Sequence, residues 1–248
     1  MKALRKLTVV QFKLYLREPM AFFFTLIFPA ALLLLFGAIF GNTPDPQYHP
    51  DYGYIDYETP ALLALIIATV GLMSVPVATA AAREAKVLRR YRVTPLRART
   101  YILADVLTSL AVAVLGSILL VILGVLVFDL HLPQEPLGVA GAFLLASLAF
   151  AALGYLVAGI APTARVAQVV GMVLFFPMMF LSGAATPVEF MPGWLRTVAE
   201  WLPMRHAVRS LQGFWFGESW REFDVQTLAL ALVLVVAGLL AIRFFRWE

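Results

Sequence analysis

The sequence predicts an all-α membrane protein with six transmembrane helices and both ends in the cytoplasm, and three observations predict it. Hydrophobic residues fill 62% of the 248 positions and charged residues only 14%, where a soluble domain carries about 25% charged residues; mean hydropathy is +0.87. Six uncharged runs approach or exceed the roughly 20 apolar residues needed to cross a bilayer core. Lys and Arg, finally, are concentrated in alternate connecting segments.

The runs are Pro19–Pro44, Thr59–Ala82, Val106–Phe128, Pro136–Ala164, Val166–Val188 and Val225–Ile242. They are continuous rather than alternating, which excludes a membrane β-barrel. The first run is too long for the apolar region of a cleaved signal peptide, about 7–15 residues, so it is expected to remain as a span. All but four of the 19 Lys and Arg fall in Met1–Glu18, Arg83–Asp105, Arg165 and the C-terminal tail, while Gly41–Glu58 and Asp129–Glu135 hold none. The basic side is expected to be cytoplasmic. The net charge of +4 is then mostly a topology signal and calls for no nucleic acid. There is no cysteine, so no disulfide, thiolate metal site or cysteine nucleophile is available.

Three segments outside the runs carry pattern. In residues 1–18, Lys2, Arg5, Lys6, Lys13 and Arg17 share a 120° arc of a helical wheel, with Leu4, Leu7, Val10 and Leu14 opposite. This predicts an interfacial helix with its cations at anionic headgroups, serving as a topology anchor or as a mechanical element. The segment 83–100 combines a cationic run with Glu84, the apolar pair Val87-Leu88 and a Thr94-Pro95-Leu96 turn. Helix is expected to continue to Tyr91, to be interrupted before Pro95, and to restart there with Thr94 as cap. Read against a plain positive-inside loop, those features favour a docking surface. The segment 184–216 is rich in Trp, Phe and Pro, which suits a membrane–water interface. Trp194–Trp201 and Met204–Phe216 are expected to be short helices broken by Pro203, forming an external helical hairpin or an interfacial anchor.

At these residues the chain resembles the type-2 ABC exporter permeases, the membrane subunits of drug, polysaccharide and lipid exporters. The likeness runs through Arg17-Glu18-Pro19, Phe22-Phe23-Phe24 and Pro29. It continues in Arg83-Glu84, Arg89-Arg90, Thr94-Pro95-Leu96 and Tyr101-Ile102-Leu103. Further on come Phe180-Leu181-Ser182-Gly183, Pro187, Met191-Pro192-Gly193-Trp194-Leu195, and then Pro203, His206 and Gly213. It spans essentially the whole chain in order, as a single transmembrane domain over residues 1–248. The chain departs from the family pattern at Lys86, where Gly is frequent, and at Asp105, where Lys is common.

The resemblance implies the permease subunit of an ATP-driven exporter in the cytoplasmic membrane. It implies alternating access at a dimer interface with a second copy or a paralogue, and an amphipathic or lipophilic cargo. The helix of residues 1–18 resembles the family's connecting helix and segment 83–100 its coupling helix, with Arg83, Glu84, Leu88, Arg89, Arg90, Tyr91, Thr94, Pro95 and Leu96 as candidate contacts to an ATPase. No Gly-x-x-x-x-Gly-Lys-Ser/Thr loop is present, so ATP and Mg are expected on a separate ATPase subunit, with no cofactor on this chain.

Rival classes are a membrane-embedded enzyme, an ion-coupled carrier and a structural scaffold. The first two need polar or carboxylate groups at membrane depth, and none of the six runs holds an acid or a histidine. His49, His131 and His206 form no close metal pair, and Ser182-Gly183 lacks a histidine partner, so no catalytic or metal site is expected. The candidate pathway lies on the fifth run, where Gln168, Met172, Phe176 and Met179 share a face with Arg165. Polar groups in a membrane avoid lipid, and flexible Met suits varied apolar cargo. The small residues Ser147, Ala151, Gly154 and Ala158 in the fourth run are expected to pack spans together within one subunit.

Overall fold

The computed structural model describes residues 2–44, 51–86, 98–185, 191–218 and 224–244. The described residues are helical with short connections. They form α1 (Lys2–Tyr15), α2 (Pro19–Phe40), α3 (Tyr54–Glu84), α4 (Ala98–Phe128), α5 (Pro136–Ile160), α6 (Ala164–Leu181), α7 (Gly193–Ala199), α8 (Pro203–Trp215) and α9 (Asp224–Phe244). Six of these, α2 to α6 and α9, are long and apolar enough to cross a membrane. The protein is a multi-pass membrane protein.

Helix α3 is the axis of the bundle. Nearly all of its apolar stretch is buried, whereas each of the other spans leaves a face open. Around it pack α2, α4, α5, α6 and the short α8. The last span, α9, sits outside this ring and packs on α5 and α8. The main core runs from Ile55, Leu62 and Ile66 on α3 to Phe150 on α5, Phe175 on α6, and Leu211 and Phe214 on α8.

Two spans carry a π-helical turn, over Phe23–Ile27 in α2 and Thr69–Ser74 in α3. Such turns add a residue to the helix and misalign its hydrogen bonds, and they recur at functional positions. The turn in α3 is where neighbouring backbones come closest. A Cβ on Gly154 of α5 would lie 2.1 Å from the Gly71 carbonyl oxygen, and one on Gly171 of α6 would lie 2.2 Å from that of Leu72. Only glycine permits this contact, which explains why small residues occupy the inner face of α5. Ala151 and Ala158 of the same row are also buried.

The helices begin and end differently from the uncharged runs. Helix α3 starts five residues before Thr59 and so takes in Asp56 and Glu58, both buried. Helix α4 starts eight residues before Val106 and takes in Asp105. The expectation of acid-free spans is therefore corrected. A run bounded by its first charge stops too early, because a carboxyl group can sit inside a helix when a donor meets it. Asp105 accepts a hydrogen bond from the Tyr155 hydroxyl at 2.5 Å. Glu58, 3% exposed, keeps Oε1 without a partner.

The two short helices before the last span behave differently. Helix α8 is drawn into the core through Met204, Ala207, Val208, Leu211, Phe214 and Trp215. Helix α7 leaves Trp194 and the following Trp201 exposed, a placement suited to an aromatic belt.

The close approach at Gly154 makes a direct test. Gly154→Leu forces α5 away from α3 and is expected to lower stability by about 1–3 kcal/mol, the range for overpacking. Gly238→Leu on α9, where a Cβ meets nothing within 4 Å, is expected to be neutral. Thermal unfolding in detergent compares the two.

Candidate functional site

The connecting segments divide the bundle into two ends. One gathers Tyr15, Arg83, Glu84 and the α5–α6 turn; the other gathers Asn42, Asp56, His131 and Trp215.

At the first end, Arg83 and Glu84 close the last turn of α3. The Arg83 guanidinium donates from Nη1 to the Ala158 carbonyl at 2.8 Å and from Nη2 to the carbonyls of Ala161 and Pro162. These are carbonyl groups at the C-terminus of α5. Glu84 Oε1 accepts from the Ala164 backbone N–H at 3.1 Å, at the N-terminus of α6, where Thr163 Oγ1 accepts from Val166 N–H. A helix leaves its last carbonyls and first N–H groups unpaired, with negative and positive partial charge respectively. Consecutive residues of opposite charge thus meet the two oppositely charged helix ends of one short turn. Arg83 serves this geometry better than Lys because its planar fork reaches several acceptors at once.

Beside this lies the attachment of α1. Leu4, Leu7, Phe12 and Tyr15 turn towards the bundle, with α1 packed on α4. Arg5, Lys6 and Lys13 are exposed, and so are Val10 and Leu14. The Tyr15 hydroxyl shares a hydrogen bond with Thr25 Oγ1 at 2.6 Å and lies 3.3 Å from Ser74 Oγ. Thr25 and Ser74 belong to the two π-helical turns. One phenol therefore ties the surface helix to the irregular turns of both α2 and α3. Burial pushes the Tyr15 phenol and the Glu18 carboxyl above their ordinary values. Gln168 of α6 lines the same narrow crevice as Glu18, Thr69 and Ser74.

The candidate pathway residues do not share one environment. Met179 is 4% exposed and belongs to the core, Gln168 and Met172 are half-buried, and Phe176 is 37% exposed. The chosen face of α6 straddles the edge between its packed side, Ala167, Gly171 and Phe175, and its open side, Val169, Val173 and Phe180. Of the candidate ATPase contacts, Arg83 and Glu84 are placed as above; Leu88, Arg89, Arg90, Tyr91, Thr94, Pro95 and Leu96 lie outside the described residues.

At the opposite end the connections are knitted by polar groups that sequence reasoning missed. The buried Asp56 carboxylate accepts from His131 Nδ1 at 2.9 Å and from the His131 backbone N–H at 2.8 Å. Asn42 Oδ1 accepts from Asp56 N–H, and Asn42 Nδ2 donates to the Phe128 carbonyl. Trp215 Nε1 donates to the His131 carbonyl, and the Gln134 and Glu135 N–H groups bond to Trp215 and Phe214 carbonyls. This joins the α2–α3 and α4–α5 connections, the start of α3 and the end of α8 into one unit. On α8, burial holds the His206 imidazole below its ordinary value. Among the described residues no group of three His, Asp or Glu side chains is arranged to hold a metal ion.

This arrangement of six spans, with one helix before the first and two short helices before the last, can be set against known proteins. A model of the ABC-2 type transporter family matches residues 2–216. The chain belongs to this family. The putative transport permease ycf38 of Cyanophora paradoxa is 26% identical over 206 residues, covering 82% of this chain and 71% of its own length. The putative transport permease YvfS of Bacillus subtilis is 24% identical over 208 residues, 83% of this chain and 82% of its own. The probable multidrug ABC transporter permease YbhR of Escherichia coli is 26% identical over 160 residues, 64% of this chain. The match takes in only 43% of YbhR. The chain is thus a transport subunit of the permease kind.

Within this permease the double cap can be checked directly. Arg83→Ala removes the donor shared by three carbonyls and is expected to cost about 2 kcal/mol, the scale of hydrogen bonds to charged groups. Glu84→Gln keeps an acceptor at the α6 N-terminus and is expected to cost under about 1 kcal/mol, the exposed helix-dipole term. Chemical denaturation of the purified permease measures both, and equal losses would contradict the assignment.

Proposed function

We propose that the permease is the membrane subunit of an ATP-driven exporter that moves an amphipathic or lipophilic cargo out across the cytoplasmic membrane. The observation that carries this reading is the Arg83–Glu84 double cap. The segment 83–100, read as the coupling element, leaves α3 through these two residues, which grip the turn joining α5 to α6. A push transmitted from that segment to Arg83 and Glu84 by a partner ATPase would reach two spans at once. The Tyr15 contact offers a second input, from α1 to the π-helical turns of α2 and α3. ATP and Mg belong to the partner, and the energy of closing its nucleotide sites would favour one of two states of the membrane subunits.

In this reading Arg83, Glu84 and α1 face the cytoplasm, as the distribution of Lys and Arg predicts. Residues 1–18 lie on the inner membrane surface, with exposed Val10 and Leu14 toward the acyl boundary and Arg5, Lys6 and Lys13 toward headgroups. Segment 184–216 is external. A second permease, a copy or a paralogue, covers the open side of α6, where Val169, Val173, Phe176 and Phe180 present apolar surface beside Gln168 and Met172. Cargo passes along that seam. The name of YbhR as a probable multidrug permease supports an apolar, varied cargo.

Two experiments test the proposal. The chain has no cysteine, so single cysteines report sidedness. Impermeant maleimide applied to intact cells is expected to label Leu132→Cys and not Ala85→Cys, and labelling of the second alone would reverse the orientation. The permease purified with its ATPase subunit is expected to show cargo-stimulated ATP hydrolysis. Phe176→Ala is expected to change cargo preference with unchanged thermal stability. Met179→Ala is expected to lose about 2–5 kcal/mol as a core truncation with preference unchanged. The opposite pattern would remove α6 from the pathway.

A further inference from the structure

A cleft of about 370 Å³ lies between α4, α5 and α9. Its walls are Ile102 and Val106 of α4, Tyr155 of α5, and Leu234, Gly238 and Ala241 of α9. Its size falls in the range of about 300–1,000 Å³ typical of small-molecule sites, which are mostly apolar with a few placed polar groups. Small residues make the room. A Cβ on Gly238 would meet nothing within 4 Å, so this glycine is not there for close helix packing, unlike Gly154.

The polar group is Tyr155. Its hydroxyl donates to Asp105 Oδ2 at 2.5 Å, which places a carboxyl one turn from Ile102 and directly before Val106. Asp105 makes no ion pair among the described side chains. A carboxyl within a membrane span is expensive to retain, and such groups mark ligand sites or relays. Here the acid is hydrogen-bonded to an aromatic side chain that lines an apolar cleft. An aromatic ring face and a carboxyl group both attract a cation, the ring through its quadrupole. An apolar wall accepts the rest of a lipophilic molecule.

We infer that the cleft between α4, α5 and α9, with Tyr155 and Asp105 at its polar edge, binds a lipophilic organic cation. The charge sits at Tyr155 and Asp105, and the apolar body lies along Val106, Leu234 and Gly238. Charge complementarity selects this occupant over a phospholipid tail, which would gain nothing from the carboxyl group. Asp105 is a specificity-determining residue and Gly238 clears the space. As a cargo site this rests on the export reading above; as a binding site it does not, because it requires neither ATP nor an ATPase.

The test uses the purified permease in lipid nanodiscs, without its partner. The probes are radiolabelled tetraphenylphosphonium and tetraphenylborate, nearly equal in shape and opposite in charge. Saturable binding of the cation at least tenfold tighter than of the anion is expected. Asp105→Asn keeps an acceptor for the Tyr155 hydroxyl and is expected to weaken cation binding at least tenfold, leaving the anion unaffected. Gly238→Leu fills the cleft without a backbone clash and is expected to abolish cation binding at unchanged unfolding temperature. The proposal is overturned if either variant binds the cation as wild type does. It is also overturned if the cation never saturates while phospholipid co-purifies with wild type and is lost from Gly238→Leu. Cation binding that persists as expected alongside absent ATP-driven transport would sink the export reading alone.

Discussion

A helix surrounded by other helices inside a bilayer is held there by close contact rather than by a hydrophobic force, since lipid tails are as apolar as leucine. Helix α3 meets this constraint by bringing its backbone against two glycines. Gly154 faces the Gly71 carbonyl and Gly171 faces that of Leu72, both within the π-helical turn Thr69–Ser74. The positions of α5 and α6 relative to α3 follow from these approaches. The position of α9 follows in turn from α5, its principal neighbour. The irregular turn and the tightest packing thus coincide, so the part of α3 best suited to bend is also the part its neighbours grip.

The two ends of the bundle are built by different means. At the Arg83 end two side chains of opposite charge satisfy the ends of two helices across one short turn. Few atoms are involved, and the contact is partly exposed. At the His131 end a buried carboxylate, an asparagine and an indole N–H stitch several connections together. Backbone groups there have no helix to pair them, and burying them unpaired would cost about 1–3 kcal/mol each. One end thus rests on a few partly exposed contacts and the other on a buried polar network.

The buried acids show why polar groups inside a membrane protein resist assignment from sequence. Glu58 and Asp105 each stand at the edge of an uncharged run and Asp56 just outside one, where a loop is the natural reading. Helix continues through them because hydrogen bonding within the helix outlasts the apolar stretch, and because neighbours supply donors, the more distant of them to Asp56 and Asp105. Tyr155 is 50 residues from Asp105, and His131 is 75 from Asp56. No local pattern connects partners so far apart.

The sequence by itself determined the class, the number of spans and their order. A bilayer about 30 Å thick imposes a length and composition on every crossing segment, and that signal is local. The two short helices near Pro203 and the small-residue face of α5 were legible for the same reason. Pairing across the bundle was decided only by the tertiary structure. Glu84 read as part of a docking surface, and the structure adds that it caps α6. Met179 and Phe176 read as one face, yet one is core and the other open. Helical periodicity orients residues relative to their own axis alone. Which neighbour stands opposite depends on rotations and crossings set by contacts far apart in the chain, and those contacts place Tyr15, Arg83 and Asp105 where they can act.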